Sequence, residues 1–223
     1  MLDPRLLSAV HGHVRQVETL HDLETGHYDA VTTVERAFAG CRVGLGVAEA
    51  ADGEIVAVDG EVWRIPADGT PRRAPPTLGL PFAVAATGGS SIGVELAAGA
   101  TMESITATID EVRAMIGPTG SPVVAVRIDG TFTNMLLRSE PRQDKPYQLL
   151  SDVLEHEVRF AFESWSGTLV GFRFADERDG VRIPGLHLHG IAADRGSGGH
   201  CHHATVLAAR LTAWLDDVAF VTQ

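Results

Sequence analysis

What this 223-residue sequence lacks narrows its possible work before any motif is read. Lys145 is the only lysine, and 29 acidic residues against 18 basic ones leave a formal net charge of -11. Nucleic acid and anionic membrane surfaces are held by basic patches, so neither is an expected partner. No stretch approaches the roughly 20 apolar residues of a membrane-spanning helix. The charged start MLDPRLLSAVHGHVRQ has no uninterrupted apolar segment of the kind a secretory signal needs. Cys41 and Cys201 allow at most one disulfide, too few for a disulfide framework, and a reducing cytoplasmic setting is the expectation. No internal repeat or low-complexity tract is visible.

What is present reads as a folded domain, with 44% apolar and 21% charged residues, both ordinary for a globular chain. Leu6, Leu7, Val10, Val14 and Val17 recur at helical spacing after Asp3-Pro4, and Thr33 to Ala39 suggests a short helix closed by Gly40. GEIVAVDGEVWRI, 53 to 65, reads as a hairpin turning at Asp59-Gly60. PADGTPRRAPPTLGLP, 66 to 81, reads as a proline-rich loop. Thr101 can cap a helix with an apolar face of Met102, Ile105, Ile109, Val112 and Ile116. VVAVRIDGTFTNMLLR, 123 to 138, predicts a second hairpin at Asp129-Gly130. A short helix near 148–155 and strands near 157–165, 168–174 and 182–192 follow. The expected class is α+β and strand-dominated, with a mixed N-terminal sheet and an antiparallel C-terminal sheet.

The chemistry concentrates in GLHLHGIAADRGSGGH, 185 to 200. On a strand the period is two, so His187 and His189 share one face, about 7 Å apart, while Leu186 and Leu188 point the other way. Turn formers at 193–199 can fold the chain back and bring His200 alongside. Three neutral imidazoles converging on one point are the ligand set of a catalytic zinc site. The bland alternative is a set of strand histidines with no common role. His202 shares the strand face of His200 and is a rival ligand, whereas Cys201 and His203 point away. His11-Gly12-His13 falls in a helical pattern, where i and i+2 do not face each other. Gly89-Ser90-Ser91-Ile92-Gly93 fits G-x-S-x-G, but no sizeable helix follows, which favours a plain Gly/Ser turn over a nucleophile elbow. Taken alone, Arg138 and Glu54 read as solvated charges, and spacing brings neither to the histidines.

The chain resembles the acetolactate decarboxylase family over most of its length. The likeness is carried by DGEIVAVDGEVW, VRIDGTFTNMLLRSEPRQDKPY, GTLVGFR and IPGLHLHGIAADRGSGGH. It implies His187, His189 and His200 as zinc ligands, Arg138 and Glu54 as active-site residues, and a 2-hydroxy-3-keto acid as substrate. It also implies a homodimer, and residues 1–223 as one unit of two closely packed sub-domains meeting at about 120–150, with the metal between or beside the sheets. Two features depart from the family pattern. Gly46-Val47-Ala48 stands where a threonine is common, and no acid matches a glutamate of the family's C-terminal tail.

Losing carbon dioxide from acetolactate leaves an electron pair that must be held as an enediolate. A lysine imine or a Lewis acid can do this, and Lys145 sits in a polar loop with nothing to lower its pKa. The metal route is therefore expected, with zinc or another divalent transition metal. Two rivals remain at this stage: a cupin-like metalloenzyme or lyase, and a metal-holding relative without catalysis.

Overall fold

A computed structural model describes residues 12–115, 123–177, 180–215 and 217–220. The first half of the chain is built from short strands: β1 (His13–Val17), β2 (Thr32–Thr33), β3 (Val43–Val47), β4 (Glu54–Val58), β5 (Glu61–Ile65) and β6 (Arg72–Arg73). Strands β7 (Gly79–Leu80), β8 (Phe82–Ala86) and β9 (Ser91–Leu96) complete it. The second half uses long ones: β10 (Val124–Ser139), β11 (Val158–Arg173), β12 (Leu186–Ala192), β13 (Gly198–Leu215) and the short β14 (Asp217–Phe220). Helices are few: α1 (Leu20–Glu24), α2 (Val34–Ala37), α3 (Met102–Met115) and α4 (Leu150–Leu154).

Two main sheets result. The first runs β14-β1-β8-β3-β4-β5-β6, mixed because β1 and β14 are parallel and the other pairs antiparallel. The second contains β10 to β13 plus β9, all antiparallel. Strand β13 pairs with both β10 and β12, and β11 joins β10 to β12, so these four strands close on themselves. The α+β, strand-dominated class and the mixed and antiparallel sheets expected from sequence are therefore observed. The sheets exchange strands: β9 joins the second and β14 the first.

Apolar alternation explains the layers. In β4, Val56 and Val58 face a core shared with Val170, Phe172 and Ile191 of the second sheet, while Ile55 and Ala57 face α2. Both faces are buried, so EIVAV is apolar almost throughout. Helix α3 sets Ile105, Ile109 and Val112 against Val126, Ile128 and Leu211 of the closed strands, and Thr101 Oγ1 accepts from Ser104 N at 3.5 Å. Ile116, the last residue of the expected apolar face, lies outside the described residues.

Three expectations need correction. Residues 6–11 of the first expected helix lie outside the described residues, but Val14 and Val17 belong to β1, where burial alternates along the strand between β8 and β14. The expected hairpin at Asp129-Gly130 does not form: β10 runs straight through, with Gly130 opposite Gly167 on one side and Ala209 on the other. A Cβ at Gly130 would stand 2.4 Å from the Ala208 carbonyl oxygen, so this glycine permits close strand approach, not a turn. Asp129 instead accepts from Arg127 Nε at 2.7 Å and Thr168 Oγ1 at 2.8 Å. Likewise, the two strands expected at 157–165 and 168–174 are the single strand β11. The hairpin at Asp59-Gly60 is as expected, with both residues at positive φ.

Candidate metal centre

His187 and His189 lie two apart on β12, on one face, as strand periodicity requires. The chain then turns through 193–197 and returns as β13, which pairs His189 directly with His200. On its other side His200 pairs with Arg138 of β10, so Arg138, His200 and His189 form a row across three neighbouring strands. Gly199 makes that row possible: a Cβ there would lie 2.3 Å from the Arg138 carbonyl oxygen. Register, rather than flexible loops, places these side chains.

One nitrogen from each of His187, His189 and His200 lies within 4.8 Å of the others, so the three can hold a metal ion. His187 Nε2 and His189 Nε2 are 3.1 Å apart, a separation that a shared proton or a cation satisfies and two bare lone pairs do not. Burial holds His187 and His200 well below the ordinary histidine range, and neighbouring positive charge, including Arg138, pushes the same way. Burial lowers His189 too, with Glu54 opposing. All three are therefore neutral near pH 7, the state in which imidazole is a ligand. His189 Nδ1–H donates to the Ile55 carbonyl at 2.8 Å, which turns the Nε2 lone pair toward the cluster.

Next to His200 in that row stands Arg138, 7% exposed, among three carboxylates. Its Nη1 lies 2.8 Å from Glu54 Oε1 and also meets Glu140 Oε1, while Nε lies 3.1 Å from Glu157 Oε2. These are ion pairs by proximity, because Nε and Nη1 find no acceptor in hydrogen-bond alignment among the described residues. Burial raises the Glu157 carboxyl, but Arg159, Arg138 and His202 outweigh it and hold it below the ordinary range. Glu54, from the first sheet, also reaches the histidines, 3.3 Å from His189 Nε2 and 3.9 Å from His200 Nδ1. With Glu157 shared with Arg159, two buried carboxylates are left to one guanidinium. Surplus negative charge beside three neutral imidazoles suits a divalent cation, so the donor set and the charge both fit a metal.

The cavity that these groups line is small, about 80 Å³, and much of the rest of its lining is apolar, including Leu45, Val47, Phe82, Leu150 and Ile183. A larger open depression near Tyr28 and Tyr147 lies away from the histidines. It contains Lys145, whose ammonium meets Asp29 at 2.7 Å and is held above its ordinary range by that hydrogen bond. An imine-forming amine needs the opposite shift.

All five site residues expected from sequence or resemblance thus meet in one place. His202 stays outside the cluster, reaching Glu157 at 3.1 Å. Cys41 and Cys201 are free thiols. The G-x-S-x-G segment leads into β9 rather than a helix. Glu140 and Glu157 were missed; Glu140 follows Arg138 by two positions, the strand spacing that already joined the histidines, and this could have flagged it.

The comparisons point the same way. Residues 14–217 match the sequence model of the alpha-acetolactate decarboxylase family. The alpha-acetolactate decarboxylase of Methanosarcina mazei is 35% identical over 185 residues, 83% of this chain and 63% of its own length. That of Klebsiella aerogenes is 34% identical over 187 residues, 84% of this chain and 70% of its own length. The matched part of the chain therefore spans less than two thirds of the Methanosarcina protein. The crystal structure of alpha-acetolactate decarboxylase from Bacillus subtilis strain 168 superimposes with a TM-score of 0.86 at 26% identity, covering 94% of this chain and 88% of that one. Sequence and fold agree over nearly all the described residues, and the chain belongs to the alpha-acetolactate decarboxylase family.

Proposed function

We propose that this protein decarboxylates 2-acetolactate to acetoin, using a divalent metal, zinc by ligand type, held by His187, His189 and His200. The observation that carries the reading is the convergence of three neutral imidazoles beside a buried arginine and glutamate. A bound zinc ion would supply Lewis acidity at the keto and hydroxyl oxygens.

The protein's own groups do the rest. The C1–C2 bond breaks, carbon dioxide leaves, and the electron pair passes into a C2–C3 enediolate. Arg138 fixes the departing carboxylate and then faces the oxyanion with its planar guanidinium. Glu54, 2.8 Å from that guanidinium, takes up one proton from solvent and passes it to C2, returning to its carboxylate form. The apolar wall of Val47 and Phe82 keeps water from the carbanion-like carbon.

Acetoin release from 2-acetolactate, assayed on a sample whose metal has been measured by elemental analysis, tests the reaction. Tight metal with no turnover would leave a metal-holding relative instead. We also infer a cytoplasmic homodimer of two closely packed sub-domains per chain, by likeness to the family. Among the described residues no helix is long and apolar enough to cross a membrane. Light scattering tests the assembly, since a monomer is 23.7 kDa.

A further inference from the structure

Glu54 and Arg138 belong to different sheets, so their 2.8 Å approach depends on how two separate strand ends are joined. Glu54 opens β4, and its partner across the ladder is Ile65, the last residue of β5. Arg138 is followed by Ser139, the last residue of β10. The Ser139 hydroxyl donates to the Ile65 carbonyl at 2.6 Å. One hydrogen bond thus joins the residue paired with Glu54 to the residue next to Arg138.

Ser139 and Ile65 are both buried, at 0% exposure, so water does not stand in for the hydroxyl. Ser139 lies outside the lining of the cavity and acts only through its neighbours. Two further ties join the same parts of the chain. Gln143 N–H donates to the Ala50 carbonyl at 2.8 Å, and Arg142 Nη1 donates to Asp52 Oδ2 at 3.5 Å. These keep the turn before β4 against the segment after β10 when the serine hydroxyl is removed. They lie further along the chain from the two side chains, whereas the Ser139 bond sits beside both.

We propose that Ser139 is a positioning residue: through the Ile65 carbonyl, its hydroxyl sets the Glu54 carboxylate at the distance from the Arg138 guanidinium that proton delivery requires. This rests on the roles proposed above for those two groups. A displacement of about 1 Å, caused away from the reacting atoms, can lower a rate by about 100-fold.

Steady-state acetoin formation by the full-length zinc-loaded protein tests it. Ser139→Ala should lower kcat by about 10-fold and leave KM within about twofold, since substrate is still held and only the proton step is misaligned. Ser139→Thr restores the hydroxyl and should recover most of the loss. In a Glu54→Gln background, Ser139→Ala should cost less than about twofold, because the group it positions no longer carries a proton. A further loss of about 10-fold there, or parent-like kcat in Ser139→Ala alone, overturns the proposal and makes the bond a purely structural one. If circular dichroism shows Ser139→Ala to be unfolded, Ser139→Cys, close in size but a weak donor, takes its place. A second readout needs no turnover. The coupling between Arg138 and Glu54 in urea denaturation, measured with Arg138→Lys and Glu54→Gln singly and together, should fall by at least about half when Ser139→Ala is added. A parent that forms no acetoin sinks the proposed reaction, and this coupling then decides the role of Ser139. An unchanged coupling overturns that role.

Discussion

The two walls of the cavity are made in opposite ways. The histidine wall comes from one hairpin, 187 to 200, whose geometry follows from strand period and a glycine-rich turn. The charged wall gathers Glu54 from the first sheet with Arg138, Glu140 and Glu157, which lie at positions spread over a hundred residues. Its members meet only because two sheets pack and four strands close. On the function proposed above, the first wall retains a cation and the second manages charge that appears and moves during reaction. Local sequence can specify holding; here chemistry required the whole fold.

Removing histidines should break the comparison most severely. His187→Ala, His189→Ala or His200→Ala should each abolish stoichiometric zinc and cut activity by more than about 1000-fold, since two imidazoles make a poor site. Elemental analysis of the purified variant reads the outcome, and retained zinc in any of them would separate that histidine from the set.

The charged wall should fail differently. Glu54→Gln should lower turnover about 10²- to 10⁴-fold, the usual worth of acid–base catalysis, with zinc content and melting temperature near the parent's. Loss of zinc instead would make Glu54 a ligand, which its 3.3 Å approach to His189 makes a fair contest. Arg138→Lys keeps the charge but not the planar fork, and should cost about 30- to 1000-fold in kcat/KM. Full activity in either variant would dissolve the distinction between the walls.

Acid should act on the histidine wall first. In the metal-free folded protein the three imidazoles stay neutral below their ordinary value of 6.5, while in the unfolded chain they protonate near it. The unfolded state then binds more protons as pH falls through 6.5, so stability is full above that value and declines below it. The slope should approach about 1.4 kcal/mol per pH unit for each histidine involved. Urea denaturation of stripped protein between pH 5 and 8 would show it, and a flat profile would contradict the buried neutral state. The smallest effect is expected at His202→Ala, less than about twofold in zinc affinity, because that ring contacts Glu157 outside the cluster.

How legible each wall was follows from the same contrast. The three histidines could be paired from spacing alone, but Glu54 and Arg138 entered only through resemblance, as no local rule predicts which sheet faces which. Two Asp-Gly pairs show the limit within a single motif. Asp59-Gly60 ends two five-residue strands and turns, whereas Asp129-Gly130 lies between β11 and β13 and cannot. The dipeptide permits positive φ in both places; neighbouring strands decide whether the freedom is used for turning or for closeness. Val14 and Val17 fit helical spacing, yet the slot between β8 and β14 made them a strand.

The bond from His189 to the Ile55 carbonyl has a consequence for how this family drifts. The acceptor is main chain, so any of the twenty residues at position 55 would bring the same oxygen. A saturation library there would report packing alone and leave the orientation of His189 unexamined, and descendants could exchange the side chain without disturbing the ring. The tether is thus hidden from side-chain scanning. Chemical protein synthesis with an ester in place of the 55–56 amide, which weakens that oxygen as an acceptor, would expose it.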